Sequence, residues 1–254
     1  MDTAPPPTRP SLNPTRRPAP VIGVTTNLDA GSRIRAGSNY WYLNRSYTRA
    51  LADAGAAPVL LCPDTPVDTC IAQCDALVLS GGGDLPARLD ARALDSGWKK
   101  DVPGEAESVE RIQWERALLD AFAARDRPVL GVCFGMQLMN LHFGGSLVVD
   151  LSKRKTKGLD HGGGASNSLH ALRLSPTSQF FAGWRPPPAV SSSHRQAVAG
   201  LAPGFSACAW AEDGVVEAIE RGPLVGVEWH PESDASASFV YGRLVARASE
   251  RRQR

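Results

Sequence analysis

One cysteine lies where a thiol could act as a nucleophile. Cys133 follows the apolar run PVLGV and opens the segment CFGMQLMN, whose pattern favours a helix. Gly131 and Gly135 lie on either side and would let the chain turn sharply, as it does at a nucleophile elbow. The N-terminus of the following helix would favour the thiolate over the thiol. A small buried core cysteine fits the same residues, so this stretch alone leaves both interpretations open.

A histidine and a carboxylate lie two residues apart near the end of the chain. His230 and Glu232 belong to VGVEWHPES, which begins as a strand, so we expect their side chains to project to the same face. A carboxylate beside an imidazole can orient it and stabilise its protonated form, while the imidazole accepts a proton from cysteine. Pro231 should end the strand. A structural histidine beside a solvated glutamate remains the alternative for this stretch taken alone.

The elements that would position these residues follow from hydrophobic periodicity. Amphipathic patterns predict helices at residues 42–55 and 107–126. Short apolar runs predict strands at residues 21–25, 58–61, 75–80 and 128–132. Because strands alternate with helices, we expect a parallel sheet covered on both faces.

The pattern changes after Gly145. Short apolar runs separated by Gly, Pro and Asp predict an antiparallel section, with strands at 169–175, 205–212, 214–220 and 223–230. A final amphipathic helix is predicted at 237–251.

Composition restricts the classes of function. The chain has 254 residues, 43% of them hydrophobic, and a formal net charge of +2, so we expect a globular protein without a nucleic-acid partner. No run approaches the roughly 20 apolar residues of a membrane span, so no membrane partner is expected. The five cysteines are odd in number and unevenly spaced, which favours a reducing compartment, and we expect a cytoplasmic location.

Three segments bear on organisation and on bound ions. Residues 1–20 are proline-rich and lack the apolar core of a secretory signal, so we expect a disordered tail followed by one domain at 21–254. Cys70 and Cys74 could form half of a metal site, but no second Cys/His pair has a matching spacing, so neither a metal nor a cofactor is expected. The basic cluster at 153–158 either steers an anionic substrate or forms a solvated loop.

Taken together, these motifs resemble the class I glutamine amidotransferase-like superfamily. The elbow around Cys133 and the late WHPE carry the resemblance. Within the superfamily the chain is most similar to the γ-glutamyl-γ-aminobutyrate hydrolase group of C26 peptidases, through YTRALADAGAAPVLL, DALVLSGGGDLP, GMQLMNLHFGGSL, VSSSHRQAV, LAPGFSACAWAEDGVVEAIE and VGVEWHPE. The resemblance implies an α/β fold, a flavodoxin-like three-layer sandwich with a mainly parallel central sheet and an additional antiparallel section in the C-terminal half.

The resemblance also implies roles for particular residues. It implies a catalytic triad of Cys133, His230 and Glu232 at the carboxyl ends of the strands. It implies that the backbone N–H groups of Gly82 and Phe134 form an oxyanion hole. The substrate contacts that it implies are Gly83, Gln137, Ser192 and His194. A flexible turn at the glycines and an exposed polar loop at Ser192 and His194 remain the alternatives.

Three departures from the group's pattern bear on specificity. Phe134 stands where the group often has arginine, so we expect the amine side of the pocket to be more apolar. Ile112 follows Arg111 where the group usually has aspartate, so we expect Arg111 to lack one acidic contact. Ser191 replaces an asparagine.

Three functions compete for the chain. The first is a free-standing hydrolase that cleaves a small-molecule γ-glutamyl amide through a Cys133 thioester. The second is a glutaminase subunit that delivers ammonia to a separate synthase, and the third is a non-catalytic binding protein. Retention of Cys133, His230 and Glu232 counts against the third. A homodimer and a synthase partner on another chain are both compatible with the sequence.

Overall fold

The computed structural model describes residues 18–31, 34–89, 94, 97–153, 158–162 and 168–252. Most of the predicted tail, and residues 154–157 of the basic cluster, lie outside the described residues. The last three tail residues contact the rest of the protein. The Arg252 guanidinium donates to the carbonyls of Pro18 and Ala19, both at 3.0 Å, and Ala57 N–H donates to Pro20 at 2.9 Å.

An eight-stranded mixed sheet forms the centre of the protein. Its strands in spatial order are β4 (Ala57–Leu61), β1 (Val21–Thr25), β5 (Ala76–Leu79), β6 (Val129–Val132), β14 (Leu224–Val227), β13 (Val216–Arg221), β12 (Ser206–Trp210) and β9 (Arg173–Leu174). The first five are parallel, and β14, β13, β12 and β9 pair antiparallel. The predicted mainly parallel sheet with an antiparallel C-terminal section is therefore confirmed.

The remaining elements surround this sheet. Three two-stranded pairs are formed by β2 (Asn27–Asp29) with β3 (Tyr40–Tyr42), β7 (Ser146–Val148) with β11 (Ala197–Gly200), and β8 (Ser168–His170) with β10 (Val190–Ser192). The helices are α1 (Arg45–Asp53), α2 (Val67–Gln73), α3 (Val109–Ala123), α4 (Phe134–His142) and α5 (Ala237–Arg251).

Side chains alternate between the two faces of the sheet, so the core has two halves. On β5, Val78 packs in the half that α1 and α5 cover, whereas Leu77 and Leu79 pack in the half that α2, α3 and α4 cover. This arrangement is the predicted three-layer sandwich. It buries both faces of the parallel strands, which is why those strands read as nearly continuous apolar runs.

Several predicted boundaries differ from the structure. The helix predicted at 42–55 begins only at Arg45, because Tyr42 pairs in β3 and the Asn44 side chain caps the helix by accepting from Ser46 N–H at 2.9 Å. The strand predicted at 169–175 is divided between β8 and β9, which belong to different sheets. The strand predicted at 223–230 ends at Val227.

Candidate active site

The chain turns sharply at Cys133, between β6 and α4. Cys133 has φ of 50° and ψ of −107°, a positive φ that is rare for a residue with a side chain. Gln137 N–H donates to its carbonyl at 3.0 Å, which begins the helix. A Cβ at Gly131 would lie 2.6 Å from the Gly135 carbonyl group, and a Cβ at Gly135 would overlap the Leu79 carbonyl oxygen of β5, so both positions require glycine. The local geometry predicted for an elbow is present.

His230 and Glu232 form a hydrogen-bonded pair beside this turn. His230 Nδ1 lies 2.7 Å from Glu232 Oε1. The strand was expected to end at Pro231, but it ends earlier, at Val227, and Pro231–Ser233 form a single 3₁₀ turn. Pro231 has no N–H for a ladder, and it suits the first position of a helical turn. The His230 N–H donates to the Ser191 carbonyl at 2.8 Å, so β10 holds the histidine in place.

The electrostatic environment of His230 raises the pKa of its imidazole. Burial alone would lower the pKa of its imidazole. The hydrogen-bonding interactions and negative charges of Cys133 and Glu232 outweigh burial and raise the pKa of His230 well above its ordinary value. The arrangement therefore favours an imidazolium next to the cysteine sulfur.

Two tyrosines, Tyr47 and Tyr241, complete the surroundings of Glu232, and sequence reasoning missed both. Tyr241 Oη donates to Glu232 Oε2 at 3.4 Å. Tyr47 Oη accepts from Gly81 N–H at 2.9 Å and so links α1 to the loop after β5. Burial first, and then the charge of Glu232, raise the pKa of both phenols well above their ordinary value, so both stay protonated. The available signal was Tyr47 on the apolar face of the predicted first helix.

Arg111 anchors the glycine loop after β5 from beneath. Its Nη2 donates to the carbonyls of Ser80 and Gly81 at 3.1 and 3.3 Å. Nη1 donates to Glu107 Oε2 at 2.9 Å, and Nε donates to Glu115 Oε1 at 2.7 Å. The expectation that Arg111 lacks an acidic contact is therefore wrong. The carboxylates come from Glu107 and Glu115, each four residues from Arg111, and not from the next residue in the chain, Ile112.

The two glycines that line the pocket after β5 differ in whether their N–H group is already used. Gly83 N–H donates to Glu107 Oε2 at 3.0 Å, so this bond occupies a donor that had been expected to serve the substrate. No described residue accepts from Gly82 N–H, and a Cβ there would lie 2.5 Å from Arg111 Nη1. As the first residue of α4, Phe134 has no intrahelical acceptor for its N–H. These two N–H groups are the available donors next to Cys133.

The side chain of Phe134 points away from the substrate space. Phe134 is 1% exposed, and the Arg111 guanidinium carbon lies 4.4 Å from the centre of its ring. The residues that line the pocket do not include it. The expectation that Phe134 makes the amine side of the pocket apolar is therefore wrong, because α4 directs this ring into the core under Arg111.

All of the predicted site residues except Phe134 and Ser192 line a cavity of about 460 Å³ at the carboxyl ends of the parallel strands. It contains Cys133, His230, Glu232, Gly82, Gly83, Gln137 and His194. Its other walls are mostly polar, including Asn27, Tyr42, Asn44, Asp84, Glu105 and Arg195. Such a lining suits a small, highly polar substrate.

Of three further residues predicted to contact the substrate, one lies outside the cavity and two line it. Ser192 is fully buried, its hydroxyl donates to the His161 carbonyl at 2.8 Å, and it does not line the cavity, so the expected contact is not formed. Gln137 lines the cavity, but its amide donates to Glu228 and, at 3.3 Å, to the Gln196 carbonyl. His194 also lines the cavity, with its Nδ1 2.8 Å from the Gln196 carbonyl.

Comparison with known proteins assigns the family. A family model described as Peptidase C26 matches residues 20–232. The chain belongs to the peptidase C26 family. This membership places it in the class I glutamine amidotransferase-like superfamily, as predicted, and among cysteine-dependent amide hydrolases and amidotransferases.

Individual relatives agree with the family. The protein NtpR of Enterococcus hirae is 30% identical over 234 residues, covering 86% of this chain and 93% of NtpR. One component of the glutamine-hydrolysing GMP synthase of Natronomonas pharaonis is 30% identical over 203 residues, covering 79% of this chain and 88% of that component. A solved glutamine amidotransferase of Thermotoga maritima shares the fold, with a TM-score of 0.54 and 13% identity over 93% of this chain and 86% of that one. Among the helices of the described residues, none combines the length and apolarity of a membrane span.

The buried Arg111 should contribute strongly to stability, which gives a first prediction. Arg111→Met leaves Glu107 and Glu115 buried without their cation, so we expect the free energy of unfolding to fall by about 3–5 kcal/mol. Urea unfolding of the purified protein measures this loss. The matched control is Arg49→Met, which removes a solvent-exposed pair with Asp53 and should change stability by less than about 0.5 kcal/mol. Equal stability changes for the two variants would contradict the assignment.

Proposed function

We propose that the chain hydrolyses the γ-glutamyl amide bond of a γ-glutamyl amine, a compound like γ-glutamyl-γ-aminobutyrate, and releases glutamate and the amine. The proposal rests on one observation. A strained cysteine at a helix N-terminus shares its cavity with a hydrogen-bonded histidine–glutamate pair. Cys133, His230 and Glu232 act as nucleophile, acid–base and orienting carboxylate.

The first half of the reaction forms a thioester. The Cys133 thiolate attacks the γ-carbonyl carbon, and the N–H groups of Gly82 and Phe134 donate to the oxyanion that forms. Collapse of the tetrahedral intermediate breaks the C–N bond. The His230 imidazolium gives its proton to the departing amine, which leaves a neutral imidazole beside a γ-glutamyl thioester.

The second half releases glutamate. His230 accepts a proton from a water molecule as that water attacks the thioester carbonyl, and the same two N–H groups stabilise the second oxyanion. Breaking the C–S bond returns Cys133 as thiolate beside the His230 imidazolium. Glu232 keeps Nδ1 of His230 engaged throughout, so Nε2 is the nitrogen left to face the reacting atoms.

The polar walls support a γ-glutamyl substrate. Its glutamyl end carries one ammonium and one carboxylate, and the cavity offers both signs of charge. Arg195 is a cation with a 40% exposed side chain that lies 3.7 Å from Asp84, and Glu105 adds a second carboxylate. We assign the α-carboxylate of the substrate to Arg195, and the α-ammonium to the carboxylates of Asp84 and Glu105.

One relative favours a second candidate function. The Natronomonas pharaonis relative is one component of a GMP synthase, so a glutaminase that supplies ammonia to a synthase on another chain is the alternative. Both functions use the same thioester chemistry. They differ in the leaving group that is accepted and in the need for a partner.

The deciding experiment measures glutamate release by the purified chain alone. The substrates are γ-glutamyl-γ-aminobutyrate, a γ-glutamyl anilide and glutamine. We expect turnover of at least one γ-glutamyl amine with a higher kcat/KM than glutamine. Preference for glutamine, or turnover of glutamine only after a synthase is added, would replace the proposal with the alternative.

The raised pKa of His230 gives a prediction for pH dependence. Because the proton donor is the imidazolium, activity persists at neutral pH and falls as the pH rises through the raised pKa. We expect the alkaline limb of kcat/KM well above the value of about 6.5 of an ordinary histidine. Glu232→Gln removes a negative charge that raises this pKa, so the limb should move to lower pH. An alkaline limb near the ordinary value in the unaltered protein would contradict this assignment.

A further inference from the structure

Three histidines and one glutamate converge behind the wall of the cavity. We call His161, His170, His194 and Glu217 the histidine cluster. Its members come from four separate segments: the stretch before β8, β8 itself, the turn after β10, and β13. Their exposed fractions are 4%, 5%, 4% and 0%. One potential ligand atom from each residue lies within 4.8 Å of the other three.

The distances from Glu217 to the three imidazoles match those between neighbouring ligands of a coordination shell. His161 Nδ1, His170 Nε2 and His194 Nε2 lie 3.3, 3.4 and 3.4 Å from Glu217 Oε1. In a tetrahedral zinc site with bonds of about 2.0–2.1 Å, neighbouring ligand atoms lie about 3.4 Å apart. These four atoms are also buried polar atoms without a hydrogen-bond partner among the described residues. Such unsatisfied atoms are rare inside proteins and require an explanation.

The outer nitrogen of each ring has a partner of its own. His161 Nε2 lies 3.1 Å from Asp213 Oδ2. His170 Nδ1 and His194 Nδ1 lie 3.1 and 2.8 Å from the carbonyls of Ala171 and Gln196. A carbonyl only accepts, so these outer nitrogens carry a hydrogen, and a ring with a single N–H has its lone pair on the inner nitrogen. Histidines that bind metals are oriented in the same way by carboxylates and backbone carbonyls.

Lone pairs that face a carboxylate oxygen repel each other unless a cation lies between them. We propose that the histidine cluster binds one divalent transition-metal ion, with Zn²⁺ the best fit to three imidazole nitrogens and one carboxylate oxygen. Four protein ligands complete a tetrahedral shell, so the site is structural. The ion links the turn that carries His194 to β8, to the stretch before β8 and to β13. Because His194 lines the cavity, the ion thereby positions one wall of it.

The expectation of no metal came from short-range spacing in the sequence. The ligands are dispersed from His161 to Glu217, without the close pairs typical of zinc motifs. Only the pairing of β8 with β10, and the position of β13 beneath them, brings the four side chains together.

The test measures metal content and thermal stability of the full chain after chelation and return of Zn²⁺. It uses a Cys133→Ser background, because Cys133 and His230 could themselves hold zinc. We expect about one zinc ion per chain and a higher Tm with zinc than without it. Co²⁺ in place of zinc should give the strong visible absorption of tetrahedral coordination.

Variants separate the site from other zinc ligands. Glu217→Gln and His170→Asn should abolish stoichiometric binding and the rise in Tm. Asp213→Asn keeps all four ligands and should weaken affinity by about 10–100-fold, so it tests the site even if a ligand variant fails to fold. His142→Gln alters a histidine outside the cluster and should bind normally. The proposal would be overturned by a zinc content far below one ion per chain, or by unaltered zinc affinity in Asp213→Asn and the ligand variants. Protons on the histidines would then neutralise the charge of Glu217.

Discussion

Cys133→Ala lowers the rate of glutamate release by more than about a thousandfold, because the thioester has no other nucleophile. The backbone at this position holds a positive φ, so the sulfur has a fixed direction that a neighbouring group cannot reproduce. The measurement is steady-state turnover on the best substrate of the panel, with circular dichroism to show that the variant is folded. Cys133→Ser keeps the shape and should also be inactive, because a hydroxyl remains protonated here.

Cys62→Ala is the matched control for this expected result. Cys62 is a partly exposed cysteine that contacts Asp64 and Thr65 and does not line the cavity. Its replacement should leave turnover within about twofold of the unaltered rate. Near-native activity in Cys133→Ala would refute the assignment of the nucleophile.

The second large effect concerns His230 and its partner. His230→Ala should cost as much as Cys133→Ala, because the imidazole moves a proton in both halves of the reaction. Glu232→Gln should cost less, because Glu232 only orients and stabilises the imidazolium, and glutamine can still accept at Oε1. The comparison uses kcat/KM for each variant on the same substrate.

A double variant makes the second test stricter. If Cys133 and His230 act as one unit, the Cys133→Ala, His230→Ala protein is barely slower than either single variant. His142→Ala is the control histidine, since it pairs with Asp120 outside the cavity, and it should retain activity. A Glu232→Gln loss larger than the His230→Ala loss would show that the two roles are reversed.

Local patterns were sufficient to predict much of the architecture. Buried parallel strands need continuous apolar runs, and the helices that cover them need one apolar face, so both periodicities are visible in the sequence. The elbow was also visible, because only glycine at positions 131 and 135 allows strand and helix to approach closely around Cys133. Element boundaries were less predictable. Caps such as Asn44, and pairing partners such as β3, decide where elements begin.

Side-chain direction could not be read from the sequence. The identity of Phe134 suggested an apolar pocket wall, yet α4 turns the ring into the core beneath Arg111. Ser192 looked like a substrate contact, but the pairing of β10 with β8 directs its hydroxyl to the His161 carbonyl. These outcomes depend on packing against segments distant in the chain.

The sequence by itself determined the family, the alternation of strands and helices, and the residues Cys133, His230 and Glu232 as candidates. Local rules suffice there, because turns, apolar runs and short motifs depend on neighbouring residues. Only the tertiary structure decided which carboxylates hold Arg111, that Glu107 occupies the Gly83 N–H, and that the histidine cluster exists. Those features join residues from separate strands and helices, and their distances are set by the order and register of the sheet, which no local pattern specifies.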